Sequence, residues 1–263
     1  MNKIVGKERF SEQVVRFVVE APLIARSRKA GHFVIVRNGP KGERIPLTIA
    51  DADKEKGTID LVIQNVGQST EKICQLNIGD SFTTIVGPLG QATHVEKVGT
   101  VVCAGGGVGI APLFPIVEAF HNAGNKVIVV LAARSKDRII MEERMRAVSD
   151  EVVITTDDGS YGIKGFVTDG IKDVINRMDI DLCVTIGPAA MMKFVAKLTK
   201  KQNIPTVASL NTIMVDGTGM CGACRVTVGG KTKFVCVDGP EFDAHQVDFE
   251  EMIMRLNSYK SME

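Results

Sequence analysis

The 263-residue sequence has no tryptophan and only two tyrosines, Tyr161 and Tyr259, so aromatic stacking on a planar ligand has few candidates. It has almost no net charge. Lys and Arg total 32 against 31 Asp and Glu, mixed along the chain, which leaves +1. That balance gives no electrostatic reason to expect nucleic acid or an anionic membrane as partner. No apolar run approaches the roughly 18 residues of a membrane-spanning helix. The most apolar stretches, such as 127–133, are strand-sized. The start, MNKIVGKERFSEQ, lacks the apolar core of a signal peptide, and a cytoplasmic protein is expected. Reduced thiols in that setting argue against a disulfide framework.

What is present is ordinary globular composition, 44% hydrophobic and 24% charged, at a length comfortable for two domains. Residues 1–98 read as short β segments at 14–21, 32–38, 45–50, 58–66 and 81–86, with Gly-, Pro-, Asn- and Asp-rich turns between them. The spacing predicts an antiparallel barrel or sandwich. A short helix is expected within 67–76, opening at Ser69 or Thr70. From Gly99 the rhythm changes. Strands at 100–104, 126–132, 151–155, 181–186 and 206–210 alternate with helical patterns running to about 123, then near 139–148, 165–178 and 188–202. This alternation predicts a doubly wound parallel α/β domain over 99–210. After 211 the alternation stops and Gly and Cys accumulate, with a short amphipathic helix expected at 249–256.

Of six cysteines, Cys74, Cys103 and Cys183 are scattered in apolar patterns, whereas Cys221, Cys224 and Cys236 form C-x2-C-x11-C. Thiolates at i and i+3 in a glycine-containing loop can converge on one metal centre, with Gly219 and Gly222 letting backbone amides approach the sulfurs. Two metals suit this pattern. Zinc needs a fourth protein ligand, for which His245 is a candidate. An iron–sulfur cluster needs a fourth ligand too, and Asp216, five residues before Cys221, gives D-x4-C-x2-C. Asp216 also reads as a plain turn residue before Gly217.

The segment Cys103-Ala-Gly-Gly-Gly-Val-Gly109-Ile-Ala-Pro follows a strand and opens a helix. Gly105, Gly106, Gly107 and Gly109 there suit a tight turn that lets a pyrophosphate approach a helix N-terminus. In the β half, Arg44-Ile-Pro-Leu-Thr48 and Gly67-Gln-Ser-Thr70 place a guanidinium and hydroxyls where a phosphate-bearing ligand can be held.

Together these motifs resemble the ferredoxin-NADP reductase superfamily, over nearly the whole chain. The carriers are RIPLT at 44–48, GQST at 67–70, GPLG at 87–90, CAGGGVGIAP at 103–112, IGPAAMM at 186–192 and DGTGMCGACRV through Cys236. The cysteine tail narrows the resemblance to the branch holding the electron-transfer subunit of dihydroorotate dehydrogenase and the small subunit of NADH-dependent reduced ferredoxin:NADP oxidoreductase. The resemblance implies an N-terminal antiparallel β-barrel FAD domain (1–98), a doubly wound α/β NAD-binding domain (99–210) and a small [2Fe–2S] segment (211–263). It implies FAD held by Arg44, Pro46, Leu47, Thr48, Gly67, Ser69 and Thr70. NAD(H) would lie against Gly105, Gly106, Gly107 and Gly109, with Arg134 and Ser135 toward the adenosine ribose. Asp157, Gly187 and Pro188 would stand at later strand ends. Arg134 also suits a 2′-phosphate, so NAD rather than NADP rests on the family.

Two positions depart from the branch. The dihydroorotate members carry a cysteine where this chain has Asp216, and the other subunit is known for one aspartate and three cysteines. That implies Asp216, Cys221, Cys224 and Cys236 as cluster ligands. Leu47 stands where many reductases place an aromatic flavin neighbour. The resemblance further implies an oxidoreductase subunit acting in electron bifurcation, with no acid–base residue of its own. Its partner, in a heterodimer, would be a larger subunit carrying flavin and [4Fe–4S] clusters. The alternatives are the dihydroorotate dehydrogenase subunit and, in another class, a zinc-stabilised binding module with no redox role.

Overall fold

The computed structural model describes residues 2–258; Tyr259 and the rest of 259–263 lie outside the described residues. Seven N-terminal strands form one antiparallel sheet: β1 (Asn2–Arg9), β2 (Val14–Glu20), β3 (Phe33–Arg37), β4 (Ile45–Asp53), β5 (Thr58–Gln64), β6 (Ser81–Phe82) and β7 (Thr84–Leu89). Their order is β6-β1-β2-β5-β4-β3-β7. A single residue, Thr83, separates β6 from β7, so the chain passes directly from one edge of the sheet to the other and curls it into a nearly closed barrel.

Period-2 patterning fills this barrel. Val15, Phe17 and Val19 of β2 and Ile59, Leu61 and Ile63 of β5 are all buried in one cluster with Ile4 and Val34. Phe17 meets Phe82 edge to face at 6.2 Å. Two short helices sit on the barrel, α1 (Pro22–Ser27) and α2 (Gln68–Cys74). The expected barrel is therefore present. β1 and α1 are additions that the sequence pattern did not reveal.

The second sheet contains β8 (Thr100–Gly106), β9 (Lys126–Ala133), β10 (Glu151–Thr156), β11 (Ile163–Lys164), β12 (Leu182–Ile186) and β13 (Thr206–Ser209), all parallel. Helices α3 (Ile110–Asn122), α4 (Glu142–Ala147), α5 (Val167–Ile175) and α6 (Ala189–Lys201) connect them. α3 ends just before Gly124, whose φ of +81° suits the left-handed stop position. The order β11-β10-β9-β8-β12-β13 reverses between β8 and β12, the switch point of a doubly wound sheet. α3 covers one face and α5 and α6 the other, which explains the unbroken apolar runs of the central strands.

The remaining chain forms a hairpin, β14 (Arg225–Val228) with β15 (Lys231–Phe234), then α7 (Val235–Asp238), β16 (Glu241–Asp243) and α8 (Phe249–Asn257). Gly229 and Gly230, both at positive φ, make the two-residue turn of that hairpin. β16 pairs antiparallel with β13, so this segment supplies the outer strand of the α/β sheet. Its apolar core is shared with both other parts: Phe33 and Ile35 from the barrel, Met192 and Ala196 from α6, and Met214, Cys224, Cys236 and Phe249 from the segment itself. No helix among the described residues is long and apolar enough to cross a membrane.

Candidate functional site

The glycine turn stands where the order of the parallel sheet reverses. β8 and β12 are neighbours in register at Gly105 and Ile186, so Gly105, Gly106, Gly107 and Gly109 leave the sheet beside Gly187 and Pro188. The four glycines serve different ends. A Cβ at Gly109 would lie 2.6 Å from the Ile186 carbonyl oxygen and 2.8 Å from Gly187 Cα. One at Gly106 would lie 2.2 Å from Met191 Sδ, and one at Gly105 3.0 Å from Leu113. These three let the turn pack against its own domain. Gly107 differs: it has φ +57° and nothing within 4 Å of a Cβ, so its face is open to a ligand.

Farther along the same edge, Asp157 N–H donates to Ala133 O (3.1 Å) and Asp158 N–H to Arg134 O (3.2 Å). These bonds join the ends of β9 and β10, and bring Arg134, Ser135 and Asp157 together on an exposed rim.

On the barrel side, β4 alternates. Ile45 and Leu47 pack with Ile49 toward the barrel core. Pro46 and Thr48 therefore occupy the opposite face, paired with Ile35 and Phe33 of β3. Phe33 and Ile35 belong to the core that carries Cys224 and Cys236. On the same strand Ala50 packs into the cluster around α3, the helix that the glycine turn opens. The face bearing Pro46 and Thr48 thus lies between the nucleotide domain and the cysteine segment. Leu47 does not belong to that face.

Arg44 is exposed just before β4. The neighbouring Glu43 accepts a hydrogen bond from Ser69, which docks the start of α2 against this loop. Thr70 is fully engaged at the start of α2: its hydroxyl accepts from Val66 N–H (2.9 Å) and Gly67 N–H (3.0 Å) and donates to Gly67 O (2.9 Å). Gly67 itself has nothing within 4 Å of a Cβ, a second open glycine face.

In the third region Cys224 and Cys236 are buried with sulfurs 3.2 Å apart, too far for a disulfide at about 2.05 Å. Burial, the largest effect, and the neighbouring Cys224 thiol push Cys236 up to about 12; the Gly219 N–H acts in the opposite direction. A cation at Cys236 would take the place of that thiol's proton, as at a metal ligand. Cys221 is exposed on the preceding loop. Asp216 closes that loop: its carboxylate accepts from Thr218 N–H (2.9 Å) and Cys221 N–H (2.8 Å), and the Thr218 bond is the main cause of its lowered pKa. Among the described residues no three His, Cys, Asp or Glu side chains close into a metal-holding group. The structure brings Cys224 and Cys236 together, and separately ties Asp216 to the backbone of Cys221. The donor types fit an iron–sulfur centre, with one buried pair of thiols and one carboxylate–thiol pair on the loop. His245 lies apart, its ring bonded to Thr199 at 3.0 Å. The single cysteines are of another kind: burial pushes the Cys183 thiol up to about 12 and the Cys103 thiol well up, as for inert core residues.

Two contacts escaped the sequence reading. Gly217 would place a Cβ 2.8 Å from Ile35 and from Leu89, so the loop holding Asp216 rests directly on the barrel. The connection after β7 is also stitched to the chain after Cys236. Gln91 donates from its backbone to Gly239 O (2.6 Å) and from its side chain to Val237 O (2.9 Å), and Thr93 donates to the Glu241 carboxylate (2.6 Å). Nothing in local sequence marks these residues, because each contact joins parts of the chain more than about 100 positions apart.

Comparison with known proteins matches three family models in succession: the FAD-binding domain of oxidoreductases at 2–94, the oxidoreductase NAD-binding domain at 104–197, and the iron–sulfur cluster binding domain of dihydroorotate dehydrogenase B at 211–248. A dihydroorotate dehydrogenase B (NAD(+)) electron transfer subunit homolog of Thermotoga maritima is 45% identical, covering 100% of this chain and 93% of that protein. The electron transfer subunit of Desulforamulus reducens is 34% identical over 88% of this chain and 91% of its own. Among solved structures, a chain of the NADH-dependent reduced ferredoxin-NADP oxidoreductase, solved for insight into flavin-based electron bifurcation, superposes with a TM-score of 0.95 at 44% identity, covering 99% of this chain and 94% of that one. Phthalate dioxygenase reductase, at 15% identity and a TM-score of 0.60, shares the fold.

Proposed function

The chain belongs to the family of dihydroorotate dehydrogenase B electron-transfer subunits and their homologues, and from that premise we propose that it carries electrons between NAD(H), FAD and a [2Fe–2S] cluster for a larger partner subunit. The observation that carries this reading is the position of one barrel face. Pro46 and Thr48 stand beside Phe33 and Ile35, of which Ile35 bears the loop of Asp216, and on the strand that α3 covers. A ligand on that face has the nucleotide turn on one side and the cysteine segment on the other.

FAD, when bound, exchanges a hydride with NAD(H) and single electrons with the cluster. The chain's own residues position and shield. Arg44 supplies a cation for the flavin phosphates, and the open faces of Gly67 and Gly107 admit ligand backbone-side. Thr48 offers a hydroxyl. Arg134, Ser135 and Asp157 border the ribose end of the nucleotide, while Gly187 and Pro188 close the other side of the switch-point crevice. Asp216, Cys221, Cys224 and Cys236 would hold the cluster, the three cysteines as thiolates. To serve so, the Asp216 carboxylate would have to release its bonds from Thr218 N–H and Cys221 N–H. The thiols, free among the described residues, suit a reducing, cytoplasmic setting.

The proposed partner is a larger subunit bearing flavin and [4Fe–4S] clusters, in a bifurcating ferredoxin:NADP oxidoreductase. Near-complete superposition on a subunit of that enzyme supports this, as does Asp216 in place of a cysteine. The family model of the tail and the named relatives favour a second reading, the dihydroorotate dehydrogenase subunit. The test is spectroscopic. Purified protein should show flavin bands bleached by NADH and a [2Fe–2S] EPR signal on reduction, and the subunit that co-purifies decides between the two complexes. A colourless protein that holds zinc would overturn the proposal.

A further inference from the structure

The two residues between Cys221 and Cys224 are Gly222 and Ala223, and each carbonyl is held by a guanidinium. Arg225 Nη1 donates to Gly222 O at 3.2 Å, and Arg255 Nη2, from α8, donates to Ala223 O at 3.2 Å. α8 is fixed beneath the loop by Phe249 and Met252, both in the core that contains Cys224 and Cys236. Both arginines line a cavity of about 140 Å³ that Ala223, Met252 and Leu256 complete. Among the described residues neither has a carboxylate within ion-pair distance. Two uncompensated cations therefore grip the turn between two of the three clustered thiols.

We propose that Arg225 and Arg255 form a clamp on the Gly222–Ala223 turn that raises the reduction potential of the cluster and fixes the turn for ligation. This rests on the reading of the three thiols as iron–sulfur ligands. Two physical effects act in the same direction. In a trans peptide the N–H points opposite to the C=O, so drawing both carbonyls toward the arginines turns the N–H groups of Ala223 and Cys224 the other way, into the turn. Reduction adds one negative charge to the cluster, and two positive charges held one residue from its ligands favour that state. A cavity this size admits water, which hydrates the guanidiniums without cancelling their charge. The clamp is a positioning and charge device, since neither side chain is a ligand.

The test uses the full-length protein and a mediated redox titration followed by EPR. In Arg255→Gln the ratio of reduced to oxidised cluster at a fixed potential should fall at least threefold; a tenfold fall corresponds to about 59 mV for one electron. Release of iron to a chelator should quicken. Arg255→Lys keeps the charge but loses the planar fork, so it should restore much of the potential and less of the resistance to chelation. Arg225→Gln, on the exposed side and tolerable to the fold, should shift the potential in the same direction, and it carries the test if Arg255→Gln does not fold. Wild-type potential in both glutamine variants would overturn the clamp alone. A wild-type protein without any iron–sulfur signal would overturn the ligand reading and the clamp with it.

Discussion

Gly107 and Gly109 show how two residues of one motif can differ in purpose. In sequence they are interchangeable members of a glycine-rich turn. In the structure only Gly107 faces open space, at a φ of +57°, whereas Gly109 is wedged against backbone of the β12 end. Gly107→Ala should cost about 1–2 kcal/mol from the left-handed backbone alone and should slow flavin reduction by NADH, because a methyl group then stands where the dinucleotide approaches. Dithionite reduction should be unaffected. Gly109→Ala sets a methyl against backbone atoms that cannot rotate away, so it should lower stability by more than Gly107→Ala does. Denaturant unfolding beside stopped-flow NADH reduction separates the two. Equal losses of stability, with NADH kinetics unaltered in Gly107→Ala, would remove this loop from the nucleotide site. At this scale the sequence disclosed which residue types to look at, and only packing distinguished their roles. Thr70 and Leu47 teach the same lesson, the first consumed by capping α2 and the second turned into the barrel core.

At the scale of elements, legibility followed the strength of local pattern. β8, β9, β10 and β12 are buried on both faces, so their Val- and Ile-rich runs stood out with turn residues at each end. β1 was hidden because NKIVGKER mixes five charged or amide residues into a partly exposed strand. β16 is three residues long and exists through its pairing with β13, 36 residues away at the Val207–Asp243 step, for which local propensity carries no signal. That strand also holds Glu241. Burial, the main effect, raises the Glu241 carboxyl above its usual range, and the Thr93 hydroxyl partly offsets it. The folded chain therefore binds this proton more tightly than the unfolded chain. The stability it brings is fully present below the unfolded value near 4.3 and is lost as pH rises through the folded value. Above that, an ionised carboxylate is retained at a cost. Glu241→Gln keeps an oxygen for Thr93 and removes the charge, so it should raise the melting temperature at pH 8, with the gain shrinking as the pH approaches 4. Melting curves across that range check it; a gain independent of pH would mean the carboxylate is not the source.

At the scale of the whole molecule, the three functional regions share cores and have few surfaces of their own. Arg144 of α4 pairs with Asp51 of β4, which also meets Arg28, so charge ties the α/β domain to the barrel, while stacking of its guanidinium 4.2 Å over the Phe114 ring of α3 holds the arginine in place. The cysteine segment is tied more deeply. It covers Phe33, Ile35 and Met192, each at most 3% exposed, and completes the sheet with β16. Ending the chain at residue 210 would uncover those three side chains, at about 1.5–3 kcal/mol each, and leave β13 as an open edge. That sum approaches the whole 5–15 kcal/mol stability typical of a native protein. The truncated chain should therefore aggregate or lose cooperative unfolding, and lose FAD with the fold. A full-length chain with Cys221, Cys224 and Cys236 all changed to Ser should lack only the iron–sulfur signal and keep its flavin. Size-exclusion chromatography, flavin content and denaturant curves on the two proteins test this together. A monomeric truncated chain that keeps FAD and unfolds at the full-length midpoint would mean that the cysteine segment is an appendage, and that the shared core contributes little to holding the flavin and nucleotide regions together.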